Sequence, residues 1–524
     1  MSQTHSARVV SIAGGTLASR LTGLVRVLVL AYVLGFTPLA DAYNLANTIP
    51  NMLFDLVLGG VASATFIPVF VEYLAREGER RAWRSISNVV TAALVVLVVA
   101  SALAWWGAPA IIDAFTALRH GAAAPLGVQR AVATSLLRWF VPQVFFYGVI
   151  GIATALLNVR QRFAAAAWVP VANNLVCVAV LVWFHLVDPT PTLASLGGTR
   201  DLMLLGLGTT VGVAIQFACL TPSLARANLW RLSLRLDLKD PALRAVGRLG
   251  FWTLLMVLAN QASLYVVLAF AFGVGGAGPV SAYTYGWAFM QMPYAVVVVS
   301  VLAALTPHLA ALATAGDYEG LGERLRFGLR QSLVIIIPCA LVLVLLAQPL
   351  VAILLNHLNA TKQLGAGVVL AVLAAGLPGF TVFQLCVRGL QSMQRARDVF
   401  ILYAIQNAAT IVLALVIGRH SLAGLTASVA IAYSGAAVLA LGVLALRHVS
   451  VAPAVWSVHV RRSVGASLGA AVAVAATYSA SGATRGAALV ERFALALLAG
   501  AVVFVVLVSV FEHRLTRRRE KVQG

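Results

Sequence analysis

The residues with the most chemical content in this chain are a few charged side chains set inside long apolar stretches. Arg20 and Arg26 lie in the first stretch and Asp55 in the second, four residues after Asn51. Arg138 opens the fourth and Arg388 sits late in the tenth, while Asp41 falls between the first two. A charge at bilayer depth costs about 2.5–3.5 kcal/mol even on a lenient scale, so such residues face a partner or a hydrated cavity. On a helix, Ser19, Gly23 and Arg26 share one face, and Arg20 lies about 120° around from Arg26. The two arginines can therefore flank one broad cavity. A guanidinium pairs with phosphate oxygens through two parallel donors, so the chemistry on offer is anion binding, and a pyrophosphate head on a long lipid tail suits it. The competing reading is an Arg26–Asp55 or Arg20–Asp55 ion pair that ties the first two helices together. Either pairing leaves one arginine of the first helix without a carboxylate.

Nothing in the sequence assembles a catalytic centre. The four cysteines, Cys177, Cys219, Cys339 and Cys386, fall in apolar stretches without CxxC spacing and read as small core hydrophobes. The nine histidines form no HxxxH pair, and there is no phosphate-binding glycine loop and no nucleophile elbow. No metal or cofactor is expected, and an enzyme is the least favoured class.

The elements that must position these charges follow from composition. The 524 residues are 61% hydrophobic and only 10% charged, where a soluble chain carries roughly a quarter charged residues. Runs such as Val89 to Ala104 and Phe493 to Val510 are continuous, whereas transmembrane β-strands alternate. Apolar stretches of spanning length predict an all-α polytopic membrane protein of about fourteen helices. They fall at 9–35, 44–74, 86–115, 131–157, 165–187, 202–222, 246–272, 279–313, 328–355, 365–392, 398–417, 423–446, 463–480 and 491–511. The first lacks a small-residue cleavage site and reads as a retained helix. The net charge of +20 gathers on one side: at Arg76, Arg80, Arg81 and Arg84, from Arg226 to Arg248, and from Arg514 to Lys521. That asymmetry is the positive-inside pattern. It predicts a multi-pass protein of the cytoplasmic membrane with both termini cytoplasmic, and it argues against nucleic acid as a partner.

Two stretches share punctuation. Ala42-Tyr43, Pro50 and Phe66-Ile67-Pro68 precede one basic loop, and Ala282-Tyr283, Pro293 and Leu305-Thr306-Pro307 precede another. Pro142 is followed by Asn158-Val159-Arg160 and Asn173-Asn174, much as Pro378 is followed by Gln394-Arg395 and Gln406-Asn407. Helices 1–6 and 7–12 thus read as two copies of one unit. An even-numbered unit re-enters from the same side, so the copies are parallel, as in two-lobed transporters that rock about a central site. The expected domains are an N-lobe at 1–228, a C-lobe at 229–450, and a segment at 451–524. That last segment holds helices 13 and 14, a candidate groove for a lipid tail, and the basic tail.

The first helices also carry a recognisable pattern. Ser19-Arg20-Leu21-Thr22-Gly23-Leu24-Val25-Arg26, Asp41-Ala42-Tyr43-Asn44-Leu45-Ala46-Asn47, Pro50-Asn51, Gly59-Gly60 and Phe66-Ile67-Pro68 resemble the MurJ (MviN) family. These are lipid II flippases of the multidrug/oligosaccharidyl-lipid/polysaccharide superfamily. Leu157-Asn158 with Arg162-Phe163, Trp168-Val169-Pro170 with Asn173-Asn174, and Gln291-Met292-Pro293-Tyr294 extend the likeness over essentially the whole chain. The resemblance implies translocation of undecaprenyl-diphospho-muropeptide, lipid II, to the outer leaflet for peptidoglycan synthesis. The implied partners are that lipid, the membrane lipids and cell-wall synthesis enzymes. It implies that Arg20 and Arg26 line a cationic cavity. Asp41 matches an acidic position beyond helix 1, Arg138 a basic position at the start of helix 4, and Arg388 a basic position late in helix 10. The chain departs from many members at Phe54 and Asp55, where they carry two arginines, and at Ala288 and Gln291, where they carry Arg and Glu. Val27 replaces a common acidic residue. The implied cavity is accordingly less positive, and Asn51, Asp55 and Gln291 join its candidate lining. Alternatives from the residues alone are a flippase for another polyprenyl-diphosphate oligosaccharide, a drug/cation antiporter, and a transport-inactive scaffold for cell-wall enzymes.

Overall fold

Helical periodicity is realised throughout the computed structural model, which describes residues 2–59, 66–76, 78–118, 126–160, 162–195, 199–227, 232–274, 278–354, 360–480 and 486–523. Gly60 lies outside them, as do the side chains of Pro68 and of the basic run Arg514 to Lys521. All regular structure among the described residues is helical, and the chain divides into two compact units, Met1–Ser281 and Ala282–Gly524.

The first unit contains α1 (Ser2–Leu34), α2 (Pro38–Phe54), α3 (Ile67–Arg76), α4 (Gly78–Trp106), α5 (Ala108–Thr116), α6 (Leu126–Phe140), α7 (Pro142–Val159), α8 (Phe163–Val187), α9 (Thr199–Arg226) and α10 (Pro241–Gly273). Local sequence explains where they start and stop. Thr37 caps α2 by accepting the Ala40 N–H at 3.1 Å, with Pro38 in the first turn. Asp240 does the same for α10, accepting the Ala242 N–H at 2.8 Å ahead of Pro241. A side-chain acceptor before a proline satisfies donors that a helix start leaves free. Just past Phe54, α2 widens into a π-helical turn at Asp55–Gly59.

In lipid the helices gain little from hydrophobic burial, so close packing and interhelical hydrogen bonds must hold them. The α1–α8 pair illustrates this. A Cβ on Gly15 would lie 2.7 Å from the Trp168 ring, and the Trp168 indole donates to the Ser11 carbonyl at 3.0 Å. About two turns on, the Asn174 amide donates to the Ser19 carbonyl at 3.2 Å and to Thr22 Oγ1 at 3.1 Å. The Ser19–Gly23 part of the helix 1 motif is thus the seat for α8.

The second unit contains α11 (Pro279–Pro293, which begins in the last residues of the first), α12 (Val299–Ala315), α13 (Tyr318–Leu354), α14 (Ala360–Ala375), α15 (Leu377–Ser392), α16 (Ala396–Val416), α17 (Leu422–Leu446), α18 (Ala452–Val455), α19 (Val458–Ala480) and α20 (Gly486–Gln523). Its first helix also passes into a π-helical turn, Tyr294–Val298, directly after Pro293. The widened turn therefore recurs at the matching place of the repeat.

Eleven described helical segments are long and apolar enough to cross a membrane, or twelve when the pair Gly365–Ala375 and Leu377–Ser392, bent by 43°, counts as one. The other two expected spans are helical as well. One is α2 with its π-turn and α3, and the other is α19. The expected architecture of about fourteen helices is met. Boundaries shift at several places. The fourth span runs from Leu126 to Val159 and breaks at Val141, where Pro142 starts α7. Arg138 therefore sits in the last turn of α6 and does not open the span. An apolar pattern cannot register the extra turns at 126–130, which carry Gln129 and Arg130.

Candidate substrate-binding site

Arg26 is where sequence and structure concentrate the most chemistry. It lies in the last third of α1 and is half-buried, with Tyr43 of α2, Tyr147 of α7 and Cys177 of α8 as its neighbours. The Tyr43 hydroxyl is close enough to the guanidinium for the two to interact. None of these neighbours is a carboxylate, and among the described residues neither Arg26 nor Arg20 forms a salt bridge. The Arg–Asp55 pair considered above is not formed. Arg20, on the exposed side of α1, keeps its charge unneutralised as well.

Asp55 instead finds a partner that the sequence did not single out. Gln261 of α10 donates from Nε2 to Asp55 Oδ2 at 3.2 Å. The carboxylate is half-buried and opens the π-turn of the first unit, a distortion that often marks functional positions. Asn51, one turn earlier, is exposed and donates to the Asn47 carbonyl at 2.9 Å. Asp41 is buried. Its Oδ1 accepts from the Ser281 N–H and from Ser281 Oγ, both at 2.8 Å, and Asn44 donates to Ser281 Oγ at 3.0 Å. Its carboxylate thus meets a backbone donor in the first turn of a helix, where negative charge is favoured.

Arg138 is exposed, with its guanidinium 5.3 Å from the centre of the Trp105 ring. Such a cation–π contact suits a cation on a helix surface. In the second unit Arg388 is exposed on α15 and close enough to Tyr403 of α16 for the two to interact. Gln291 is half-buried on α11, two residues before Pro293. Asp55, Asn51 and Arg138 thus each meet a residue outside the set of sequence candidates: Gln261, Asn47 and Trp105. The sequence marks Tyr43 only as part of a motif and does not single out Tyr147, Thr209, Gln143 or Gln261, because a lone polar residue in an apolar helix is most often a satisfied core group.

An apolar groove of about 250 Å³ lies in the second unit between α13, α19 and α20. Pro338, Val342 and Leu345 form one wall, and Ala470, Gly500 and Phe504 contribute to the others. A Cβ on Gly500 would lie 2.5 Å from a Val474 methyl, so glycine is what lets α20 come close to α19.

Comparison with known proteins agrees with this architecture. The family model described as "Lipid II flippase MurJ" matches residues 30–509. The lipid II flippase MurJ of Burkholderia cenocepacia is 27% identical over 394 residues, which cover 73% of this chain and 72% of that protein. A probable lipid II flippase MurJ of Rhizobium meliloti is 25% identical over 416 residues, covering 77% and 74%. Among solved structures, a lipid II flippase MurJ in an inward closed conformation superposes with a TM-score of 0.77 at 18% identity, over 96% of this chain and 99% of the other. An inward-facing multidrug resistance MATE family transporter of the MOP superfamily superposes less closely, with a TM-score of 0.66 at 14% identity, over 83% and 98%. The sequence match runs through nearly every helix described above and the fold match is as extensive, so the chain belongs to the MurJ family of lipid II flippases.

Proposed function

We propose that the protein carries lipid II, undecaprenyl-diphospho-muropeptide, from the inner to the outer leaflet of the cytoplasmic membrane for peptidoglycan synthesis. The observation that carries this reading is Arg26, an interior guanidinium among neutral neighbours with no carboxylate paired to it among the described residues. A charge left in that condition inside a membrane protein is costly unless an anion answers it. A lipid-linked diphosphate is the anion that the family supplies. Arg20 adds a second cation on the same helix, and Asp55, held by Gln261, tempers the positive field.

The two six-helix lobes then work by alternating access, exposing the cationic cavity to each side in turn. Both termini are cytoplasmic. The apolar groove between α13, α19 and α20 takes up part of the prenyl tail, with only the diphosphate-sugar head entering the cavity. A cavity whose charge moves through the membrane field couples to the potential at about 2.3 kcal/mol per charge per 100 mV. Collapsing the potential should therefore slow translocation.

Complementation of a strain conditionally depleted of its lipid II flippase tests the reading. Wild type should rescue growth, and Arg26→Ala should not, at matched membrane expression. Rescue of a different glycan pathway in place of this one would point to another polyprenyl-diphosphate cargo.

A further inference from the structure

Each polar neighbour of Arg26 has its own proton committed elsewhere. Thr209 Oγ1 donates to the Leu205 carbonyl at 2.7 Å, and a carbonyl can only accept. The 3.0 Å contact between the Tyr43 and Thr209 hydroxyls is therefore donated by Tyr43. Tyr43 is left with only lone pairs to turn toward Arg26. A second chain has the same polarity. Thr210 Oγ1 donates to the Trp139 carbonyl at 2.7 Å, so it must accept from Gln143 Nε2 at 3.0 Å. That orients the Gln143 amide, whose Oε1 then accepts the Tyr147 hydroxyl proton at 3.3 Å. The Cys177 thiol likewise faces Asn173 Oδ1 at 3.3 Å. Gly212 makes room for that Asn173 oxygen, which a Cβ would meet at 2.7 Å. The two chains end on neighbouring residues of α9, Thr209 and Thr210.

We propose that Tyr43, backed by Thr209, is a positioning residue that aims Arg26 by offering it a lone pair without cancelling its charge, while Tyr147, its proton taken by Gln143, adds a second neutral oxygen nearby. A carboxylate in their place would hold the guanidinium equally well but would neutralise the charge the anion needs. Neutral acceptors whose protons are locked into directed chains fix the geometry and leave the full positive charge for the substrate. This rests on the reading of Arg26 as the diphosphate site.

The test is binding of farnesyl diphosphate to the full-length chain in lipid nanodiscs, with thermal unfolding recorded for every variant. Arg26→Ala should weaken binding on the order of a hundredfold and Tyr43→Phe about tenfold. Thr209→Val keeps the shape and the Tyr43 phenol but frees its proton to face Arg26; it too should lose about tenfold. Thr209→Ser, which restores the chain while removing a methyl, should bind as wild type. A packing role alone reverses that order, with Val tolerated and Ser not. In an Arg26→Ala background, Tyr43→Phe should cost nothing further. Wild-type binding by Tyr43→Phe and Thr209→Val, or an undiminished Tyr43→Phe effect without Arg26, overturns the relay while leaving the diphosphate site standing. Wild-type binding by Arg26→Ala, or no binding by the wild type, overturns both.

Discussion

The two copies of the repeat place the same residue in opposite chemistry. Tyr43 and Tyr283 follow alanines at matching positions, and each precedes a π-turn. Tyr43 stands in a polar interior, facing Arg26 and donating to Thr209. Tyr283 stacks on Trp287 with ring centres 6.3 Å apart. Trp287 in turn meets Phe380 at 5.9 Å, and Tyr433 lies 4.9 Å from Phe380 and 5.8 Å from Phe383. The π-turns differ in the same sense, one opening with Asp55 and the other with Tyr294, whose ring is 4.8 Å from Phe380. The cause is legible in the first helix of each copy: α1 carries Arg20 and Arg26, whereas α10 has no arginine from Gly250 to Gly273. The repeat supplies a scaffold, and charge on its first helix sets the first copy, proposed above to bind the anion, apart from the second, which packs as an aromatic core.

That contrast can be broken most forcefully at Arg26. Arg26→Ala should reduce lipid II translocation on the order of a hundredfold or more, the scale expected when a buried charge contact is truncated. Tyr283→Phe, at the position matching Tyr43, should leave transport unchanged. Next in size, Phe380→Ala removes the hub of the aromatic cluster. It should cost about 3–5 kcal/mol of stability, read as a lowered unfolding midpoint of the purified protein, while diphosphate affinity in the surviving folded fraction stays near wild type. Asp55→Ala strands the Gln261 amide. The expected loss is about 1–3 kcal/mol, whereas Asp55→Asn, which keeps an acceptor for Gln261, should recover most of it. The smallest effect belongs to the partly exposed Arg447–Asp398 pair of the second unit, 3.0 Å apart. Arg447→Ala should lower stability by about 1 kcal/mol or less and not touch transport; a transport defect there would mean that the aromatic copy also handles charge.

How much of this could be read from the sequence depends on the kind of signal. Helices announce themselves through length and apolarity, so the spans were legible, and so was the repeat through Pro50, Pro68, Pro293 and Pro307. Arg20 and Arg26 were legible because a charge in an apolar run has few alternatives. Their partners were not. Tyr43 and Tyr147 beside Arg26, and Gln261 on Asp55, are polar groups of a kind that apolar helices tolerate singly, and only three-dimensional convergence brings them to those charges. Ser19 and Gly23 were read as sharing the Arg26 face, but they serve α8, because helical spacing names a face without naming what lies opposite. The non-helical segment from Leu232 to Asp237 was legible only as a basic loop. Its pinning to α4, with the Ser233 and Arg235 N–H groups donating to Ser87 and Thr91 and Asn88 donating to the Asp237 carbonyl at 2.7 Å, leaves no periodic trace.

The most direct test of the central claim is the leaflet distribution of lipid II in intact depleted cells, read as its accessibility to a membrane-impermeant lipid II-binding reagent. Cells making the wild-type chain should show lipid II at the outer surface within the growth period in which rescue occurs. Cells making Arg26→Ala at equal membrane abundance should accumulate it inside. Equal surface exposure with both chains would contradict the account of Arg26 as the group that receives the diphosphate.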